Sequence, residues 1–286
     1  MRLTIHSGLL TAAVVAAAAA GAAGFGTAGG PPRDVPEFTG NTYAVIVSGI
    51  AKDPTESQEQ EGVLTRFRDM LVEDFKLDDA KVTYLTSAAG SDASTAATAA
   101  ALKKAVEKVR GAVGVNDRFI FYYKGQANVV NGTLRINLEG PDIAHDDLAA
   151  MLAPVKCATM LVILDCPNAG LAVESLTGAG RIIICGARGD QPYATRFSGF
   201  FVAALTDPEA DFDQDGAVSL LEAYRMAVTR IDEAYQKDGL LKTENALLED
   251  DGDGVPTHQP WERIEDSFDG AAAAKFFFAK LPAIGS

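Results

Sequence analysis

Four runs of almost uninterrupted apolar residues constrain what this chain can fold into more than any other feature. They are residues 42–50 (TYAVIVSGI), 117–123 (DRFIFYY), 157–165 (CATMLVILD) and 181–186 (RIIICG). A strand that is covered on both faces is apolar along its whole length, whereas a half-exposed strand alternates apolar and polar residues. Segments with helical spacing separate these runs, so the sequence predicts parallel strands connected by helices.

The intervening segments complete this alternation. A short strand is predicted at 81–85, and the Asn131-Gly132 dipeptide between apolar residues predicts a hairpin. Apolar periodicity predicts helices at residues 59–75, 99–109, 146–152, 197–205 and 220–235. The predicted fold class is α/β, with a mostly parallel sheet flanked by helices on both faces in a three-layer sandwich.

The two ends of the chain differ from this central region. Residues 9–23 form an uncharged, Ala-rich stretch that is shorter than the roughly 20 residues needed to span a bilayer. This stretch predicts a signal peptide over residues 1–28, export to the periplasm or the extracellular space, and no stable membrane span after its removal. An uncleaved membrane anchor is the alternative.

The remaining boundaries follow from local composition. Residues 29–41 are predicted to be a linker rich in Gly and Pro, and residues 42–255 a single domain. Residues 256–286 form a C-terminal tail, for which docking on the domain and binding of a partner both stay open.

Charge and cysteine content narrow the functional classes. The formal net charge is -14 and the chain has one Trp, so nucleic acid is not an expected partner. An odd count of cysteines does not suit a disulfide scaffold. Cys157, Cys166 and Cys185 are therefore predicted to be small buried side chains, with one disulfide of undetermined pairing as the alternative.

Ligands and catalytic groups in parallel sheets lie beyond the carboxyl ends of the strands, which directs attention to three loops, at residues 124–128, 166–170 and 186–193. Residues 123–127 read YKGQA after one strand, and residues 165–170 read DCPNAG after the next. In their sequence and order these loops resemble the turns of the caspase-like superfamily, specifically its legumain-type cysteine peptidases. Members place a catalytic His in the first turn and a nucleophilic Cys in the second. The resemblance covers roughly residues 42–253 and implies a cysteine peptidase fold.

The departures from that family fall on the active positions. Gln126 stands where the resemblance places the general base, and Pro167 stands where it places the nucleophile. An amide cannot take up and return a proton near neutral pH, and proline carries no attacking atom. Cys166 lies one residue early, where the side chain points to the other side of the strand end. These departures predict a pseudopeptidase; the alternative is an active cysteine peptidase that uses Cys166 with an unidentified base.

An Asp-rich loop provides the most complete motif of the sequence. Residues 211–222 match D-x-D-x-D-G-x5-E, a spacing that supplies oxygen ligands to calcium from one short segment. The predicted Ca2+ ligands are Asp211, Asp213, Asp215, the backbone carbonyl of Ala217, and Glu222. Ser219 is a further ligand, directly or through a water. The alternative is a loop that only caps the helix after it.

A second acidic run, residues 249–254 (EDDGDG), resembles half of such a loop. The sequence predicts a solvated turn there, with the alternative that it lends ligands to a metal held elsewhere. Together these features predict an exported, calcium-stabilised pseudopeptidase that binds a peptide or protein ligand in the cleft at the sheet end. A purely structural protein of the cell envelope is the remaining alternative.

Overall fold

The computed structural model describes residues 38–88, 95–262 and 268–278. The predicted signal peptide and most of the predicted linker lie outside these residues. The strands are β1 (Thr42–Ser48), β2 (Val82–Thr86), β3 (Arg118–Lys124), β4 (Ala127–Val130), β5 (Thr133–Ile136), β6 (Ile143–Ala144), β7 (Thr159–Asp165), β8 (Arg181–Cys185) and β9 (Leu247–Glu249). The α-helices are α1 (Pro54–Asp69), α2 (Ala99–Ala112), α3 (His145–Leu152), α4 (Val173–Leu176), α5 (Phe197–Ala204) and α6 (Leu220–Asp238).

A six-stranded sheet with the order β2-β1-β3-β7-β8-β9 forms the centre of the protein. The first five strands of this order run parallel, and β9 pairs antiparallel with β8. The prediction of an α/β fold with a mostly parallel sheet is therefore confirmed. The four apolar runs supply β1, β3, β7 and β8, which hydrogen-bond on both edges and are buried on both faces as their composition required.

Alternate residues of each central strand enter two separate cores. Ile46 and Tyr122 pack with the apolar faces of α1, α5 and α6 on one side of the sheet. Val47 and Tyr123 pack with α2, α3 and α4 on the other side. Helices thus cover both faces of the sheet, so the side chains of the central strands are removed from water on either side.

Helix α1 begins earlier than its apolar periodicity indicated. Asp53 caps it by accepting hydrogen bonds from the backbone N–H groups of Thr55 and Glu56, and Pro54 occupies the first turn. This first turn is polar, so apolar periodicity could not mark it, although the Asp-Pro pair is a helix-start signal. The helix continues as a π-helical turn at Met70–Asp74.

The predicted hairpin is confirmed. Strands β4 and β5 pair antiparallel, and Asn131 and Gly132 connect them with φ values of 51° and 80°. Two successive residues with positive φ form the tight turn whose twist matches that of the flanking strands. Strand β6 adds to β5 and completes a small second sheet beside the central one.

Part of the predicted C-terminal tail packs on the domain. Phe276 is 3% exposed and packs in the core on the α6 side, and Phe277, which is 8% exposed, forms a backbone bridge with Ser219 just before α6. The guanidinium of Arg118 donates a 2.9 Å hydrogen bond to the carbonyl of Phe277. Within residues 268–278, docking is therefore the observed state. Across the described parts of the chain, no helix has the length and apolarity required to cross a membrane.

Candidate functional site

The side chain at the predicted base position is held by hydrogen bonds. Gln126 follows β3, and its Nε2 donates to Oε1 of Glu56 at 2.7 Å. Its backbone N–H donates to the carbonyl of Ile50 at 2.8 Å. Glu56 lies in the first turn of α1, so Gln126 connects the ends of β1 and β3 to that helix. The amide orients the loop, and it offers no group that exchanges a proton near neutral pH.

The side chain of Tyr123 is hydrogen-bonded to the loop that follows β3. Its hydroxyl donates to the carbonyl of Gln126 at 2.6 Å and accepts from the N–H of Asn137 at 3.1 Å. Glycine is required on both sides of this hydroxyl, since a Cβ at Gly49 or Gly125 would lie 2.4 or 2.6 Å from it. The ends of β1 and β3 are thus packed closely around one buried phenol.

In the loop at residues 165–170, both Cys166 and Pro167 are buried. Pro167 is buried, and Cys166 is fully buried among the side chains on the α2 and α3 face of the sheet. Burial raises the pKa of the Cys166 thiol well above its ordinary value, and neighbouring Cys185 and Asp165 raise it further. A nucleophilic thiol needs a lowered pKa and access to solvent. Cys166 is therefore placed as a small core side chain; all three cysteines are free thiols.

A buried ionic network at this sheet end was not predicted from the sequence. The carboxylate of Asp165, the last residue of β7, accepts from Lys124 Nζ at 2.9 Å and from the backbone N–H of Ser198 at 2.9 Å. The hydroxyls of Ser198 and Thr195 donate to the same carboxylate. Burial by itself would raise the pKa of Asp165, but the Lys124 charge and these donors outweigh it and hold the pKa below its ordinary value.

Glu244 adds a second buried carboxyl group near Asp165. Its oxygens accept from the N–H of Arg196 at 2.7 Å and from the hydroxyl of Tyr235 at 3.1 Å. Burial, followed by the charge of Asp165, raises the pKa of Glu244 to about 7. One signal for this network existed in the sequence, because Lys124 directly follows one apolar run and Asp165 ends the next. Glu244 follows α6 in a segment without a recognisable pattern.

The Asp-rich loop brings its three aspartates together. One carboxylate oxygen from each of Asp211, Asp213 and Asp215 lies within 4.8 Å of the others. Asp211 also accepts hydrogen bonds from the N–H groups of Asp215 and Gly216, at 3.1 and 3.0 Å. Gly216 has a φ of 91°, the left-handed conformation that favours glycine. Burial and the neighbouring carboxylates raise the pKa of Asp215.

The carboxylate of Glu222 hydrogen-bonds the same loop and also takes part in the cap of helix α6. Its Oε1 accepts from the N–H groups of Phe212 and Asp213, at 2.9 and 3.2 Å. Its Oε2 accepts from the N–H and hydroxyl of Ser219, which forms a capping box at the start of α6. Ala217 belongs to the loop through its N–H, which donates to Asp215 at 3.0 Å. Helix capping and the convergence of three aspartates thus coexist.

The second acidic run departs from its prediction at Glu249 and at Asp250, which is half-buried. Glu249 ends β9 and is fully buried, so the prediction of a solvated turn is wrong there, although Asp251 is exposed. The reason is that β9 pairs with β8 and draws Glu249 into the sheet edge. His258 is half-buried, and its ring hydrogen-bonds the carbonyl of Ala246 at 2.6 Å.

A surface pocket of about 360 Å³ lies beside α1 and is lined in part by Arg66, Asp69 and Thr206. None of the residues that line it belongs to the two loops at the sheet end. Comparison of the sequence with protein-family models and with curated proteins found no match. Functional assignment therefore depends on the geometry of the sheet end and of the acidic clusters.

Proposed function

We propose that the chain is an exported pseudopeptidase of the caspase- and legumain-like type, a calcium-stabilised module that binds a peptide or protein. One observation carries the non-catalytic part of this proposal. At the carboxyl ends of the neighbouring strands β3 and β7, Gln126 is hydrogen-bonded to Glu56, and Cys166 is buried in the core. Thiol-dependent cleavage needs a thiolate beside a base, and these loops provide neither.

The alternative, an active peptidase that uses Cys166, demands a large rearrangement. The thiol would have to leave the core, and its pKa would have to fall from a value that burial has raised. It would also need a base in place of Gln126. The geometry therefore favours the non-catalytic function.

The calcium part rests on the Asp-rich loop. Three carboxylates with oxygens within 4.8 Å repel one another in the absence of a cation, and the loop is short enough for all of them to reach one ion. Asp211, Asp213, Asp215, the carbonyl of Ala217, and Glu222 are the proposed ligands. The ion would tie the start of α6, which packs against α5 and the C-terminal segment, to the turn before it.

The binding part rests on the loop after β8. Tyr193 lies on that loop with 59% of its surface exposed. Exposed aromatic side chains are frequent anchors in protein interfaces, since they bury a large area on binding. Arg188 and Asp190, paired at 2.8 Å on the same loop, would supply the polar rim.

The test combines a thiol-directed peptide probe with thermal melting of the full chain. We expect no labelling with or without Ca2+; labelling that disappears in Cys166→Ala would overturn the non-catalytic function. We expect Ca2+ to raise the melting temperature of metal-free protein, with a smaller rise in the Asp211→Asn, Asp213→Asn double variant. An equal rise in both proteins would remove the Asp-rich loop from the proposal.

A further inference from the structure

Three carboxyl groups, two of them close in sequence and one twenty positions after the first, converge beside β9, the last strand of the central sheet. Glu249 ends β9, Asp251 lies in the turn that follows, and Asp269 lies on the C-terminal segment. One carboxylate oxygen of each lies within 4.8 Å of the other two. This cluster is separate from the Asp-rich loop at residues 211–222, and neither cluster shares a residue with the other.

Two of these carboxylates each keep a buried oxygen without a hydrogen-bond donor. Glu249 is 0% exposed and Asp269 is 7% exposed. Within the described residues, Oε2 of Glu249 and Oδ2 of Asp269 are buried and have no hydrogen-bond partner. The other oxygens are used, because Glu249 Oε1 accepts from Gly252 at 2.7 Å and Asp269 Oδ1 accepts from Asp250 at 3.0 Å. An unpartnered, buried carboxylate oxygen is costly and requires an explanation.

The neighbouring Asp250 differs from these residues, because both of its carboxylate oxygens accept hydrogen bonds. Its oxygens accept from the N–H groups of Gly270, Ala272 and Ala273, at 2.8, 2.9 and 2.7 Å. Among the ion pairs of the described residues, none involves Glu249, Asp251 or Asp269. The negative charge of the three-carboxylate cluster is therefore uncompensated within that part of the protein.

We propose that Glu249, Asp251 and Asp269 bind a hard divalent cation of the calcium type, which ties the C-terminal segment to strand β9. Calcium binds oxygen ligands at about 2.3–2.6 Å, so two ligands on opposite sides of the ion are about 5 Å apart. The observed spacing of the carboxylate oxygens suits that range. Asp251 is exposed and gives the ion a route from solvent, while Glu249 and Asp269 supply the buried oxygens.

The binding has a structural consequence for the sheet edge. Strand β9 has three residues; it pairs with β8 on one side, and on the other side Leu248 exchanges backbone hydrogen bonds with Thr257. A cation held jointly by Glu249 and Asp269 would cross-link this short strand to the segment that buries Phe276 and Phe277. The proposal does not depend on the function proposed above, since it rests on different residues.

The experiment uses the full chain with Asp211→Asn and Asp213→Asn, which disable the Asp-rich loop. Metal-free protein is titrated with CaCl2 by calorimetry, and its melting temperature is measured with and without Ca2+. We expect one equivalent of Ca2+ to bind and to raise the melting temperature. Adding Asp269→Asn should weaken binding at least tenfold and abolish the rise, whereas adding Glu107→Gln, an exposed site on α2, should change neither.

The metal-free melting temperature separates a lost ligand from a lost fold. Asp269→Asn removes a buried charge, so the metal-free variant should melt no lower than its parent. Absence of saturable binding in the parent at millimolar Ca2+, or unchanged binding after Asp269→Asn, would overturn the proposal. One bound equivalent in this parent, together with equal binding by the unmodified chain, would instead refute the calcium ligands proposed at residues 211–222.

Discussion

Nζ of Lys124 lies 2.9 Å from Oδ2 of Asp165, and the two residues are register partners at the carboxyl ends of β3 and β7. The Asp165 side chain is 0% exposed and the Lys124 side chain 14%. A buried ion pair persists only when its remaining oxygens are also hydrogen-bonded, and here Ser198 and Thr195 complete the set. The carboxyl ends of β3 and β7 therefore hold a buried network in which both oxygens of Asp165 are hydrogen-bonded.

Breaking this network should destabilise the fold severely. Asp165→Asn leaves the Lys124 ammonium buried without its counter-charge, so we expect the free energy of unfolding to fall by about 3–5 kcal/mol. The control is Asp238→Asn, which breaks an exposed pair with Arg196 and should cost less than about 1 kcal/mol. Urea denaturation measures both. Similar losses in the two variants would contradict the assigned role of Asp165.

Glu244 should make stability depend on pH. Its pKa is about 7 in the folded protein against an ordinary value of 4.5. Between these values the folded state retains a proton that the unfolded state has released. Its contribution to stability is therefore fully present below about pH 4.5 and is lost as pH rises through about 7.

Glu244→Gln removes this ionisation while it keeps an oxygen to accept from Arg196. Relative to the unmodified protein, the variant should gain stability between pH 5 and pH 8, by at most on the order of 3 kcal/mol. Urea denaturation at several pH values measures the difference. Glu107→Gln, at an exposed site, should show no such trend. A difference that does not vary with pH would show that Glu244 titrates normally.

The three thiols should differ in reactivity. Cys157 is partly exposed, whereas Cys166 and Cys185 are buried. Burial raises the pKa of all three thiols. Under native conditions at pH 8, iodoacetamide should modify Cys157 slowly and should modify Cys166 and Cys185 only after unfolding in urea. Peptide mapping by mass spectrometry measures this order, and rapid native labelling of Cys166 would contradict its burial.

The docked C-terminal segment offers a matched pair of aromatic substitutions. Phe276 is 3% exposed, and its ring lies 4.5 Å from the guanidinium of Arg118, whereas Phe268 is 76% exposed. Phe276→Ala should lower the free energy of unfolding by about 3–5 kcal/mol. Phe268→Ala should change it by less than about 0.5 kcal/mol. Denaturant titrations compare them, and a neutral Phe276→Ala would mean that the segment does not contribute to the core.

Local pattern was sufficient for the four central strands and for the hairpin. Each uninterrupted apolar run became a central parallel strand because only such strands lose both faces to the core. The hairpin at Asn131-Gly132 was equally predictable, since the dipeptide itself adopts the required positive φ values. Gln126 and Pro167 could be located at the sheet end from the sequence because each lies in a loop that directly follows such a strand.

Strand β9 was not predicted, because it is too short to have a recognisable sequence pattern. Its three residues are too few to show a period, and they become a strand only by pairing with β8. That pairing buries Glu249 and brings it to Asp269, which is twenty positions further along the chain.

The sequence by itself therefore determined the alternation of strands and helices, the loop positions and the spacing of the Asp-rich loop, because these depend on neighbours a few residues apart. Only the tertiary structure decided how distant charges meet. The pairing of Lys124 with Asp165, the approach of Glu244, and the convergence of Glu249 with Asp269 depend on chain crossings that no local pattern encodes. Burial raises the pKa of Glu244, whereas the Lys124 charge and the surrounding donors lower the pKa of Asp165, so these shifts are consequences of the tertiary structure.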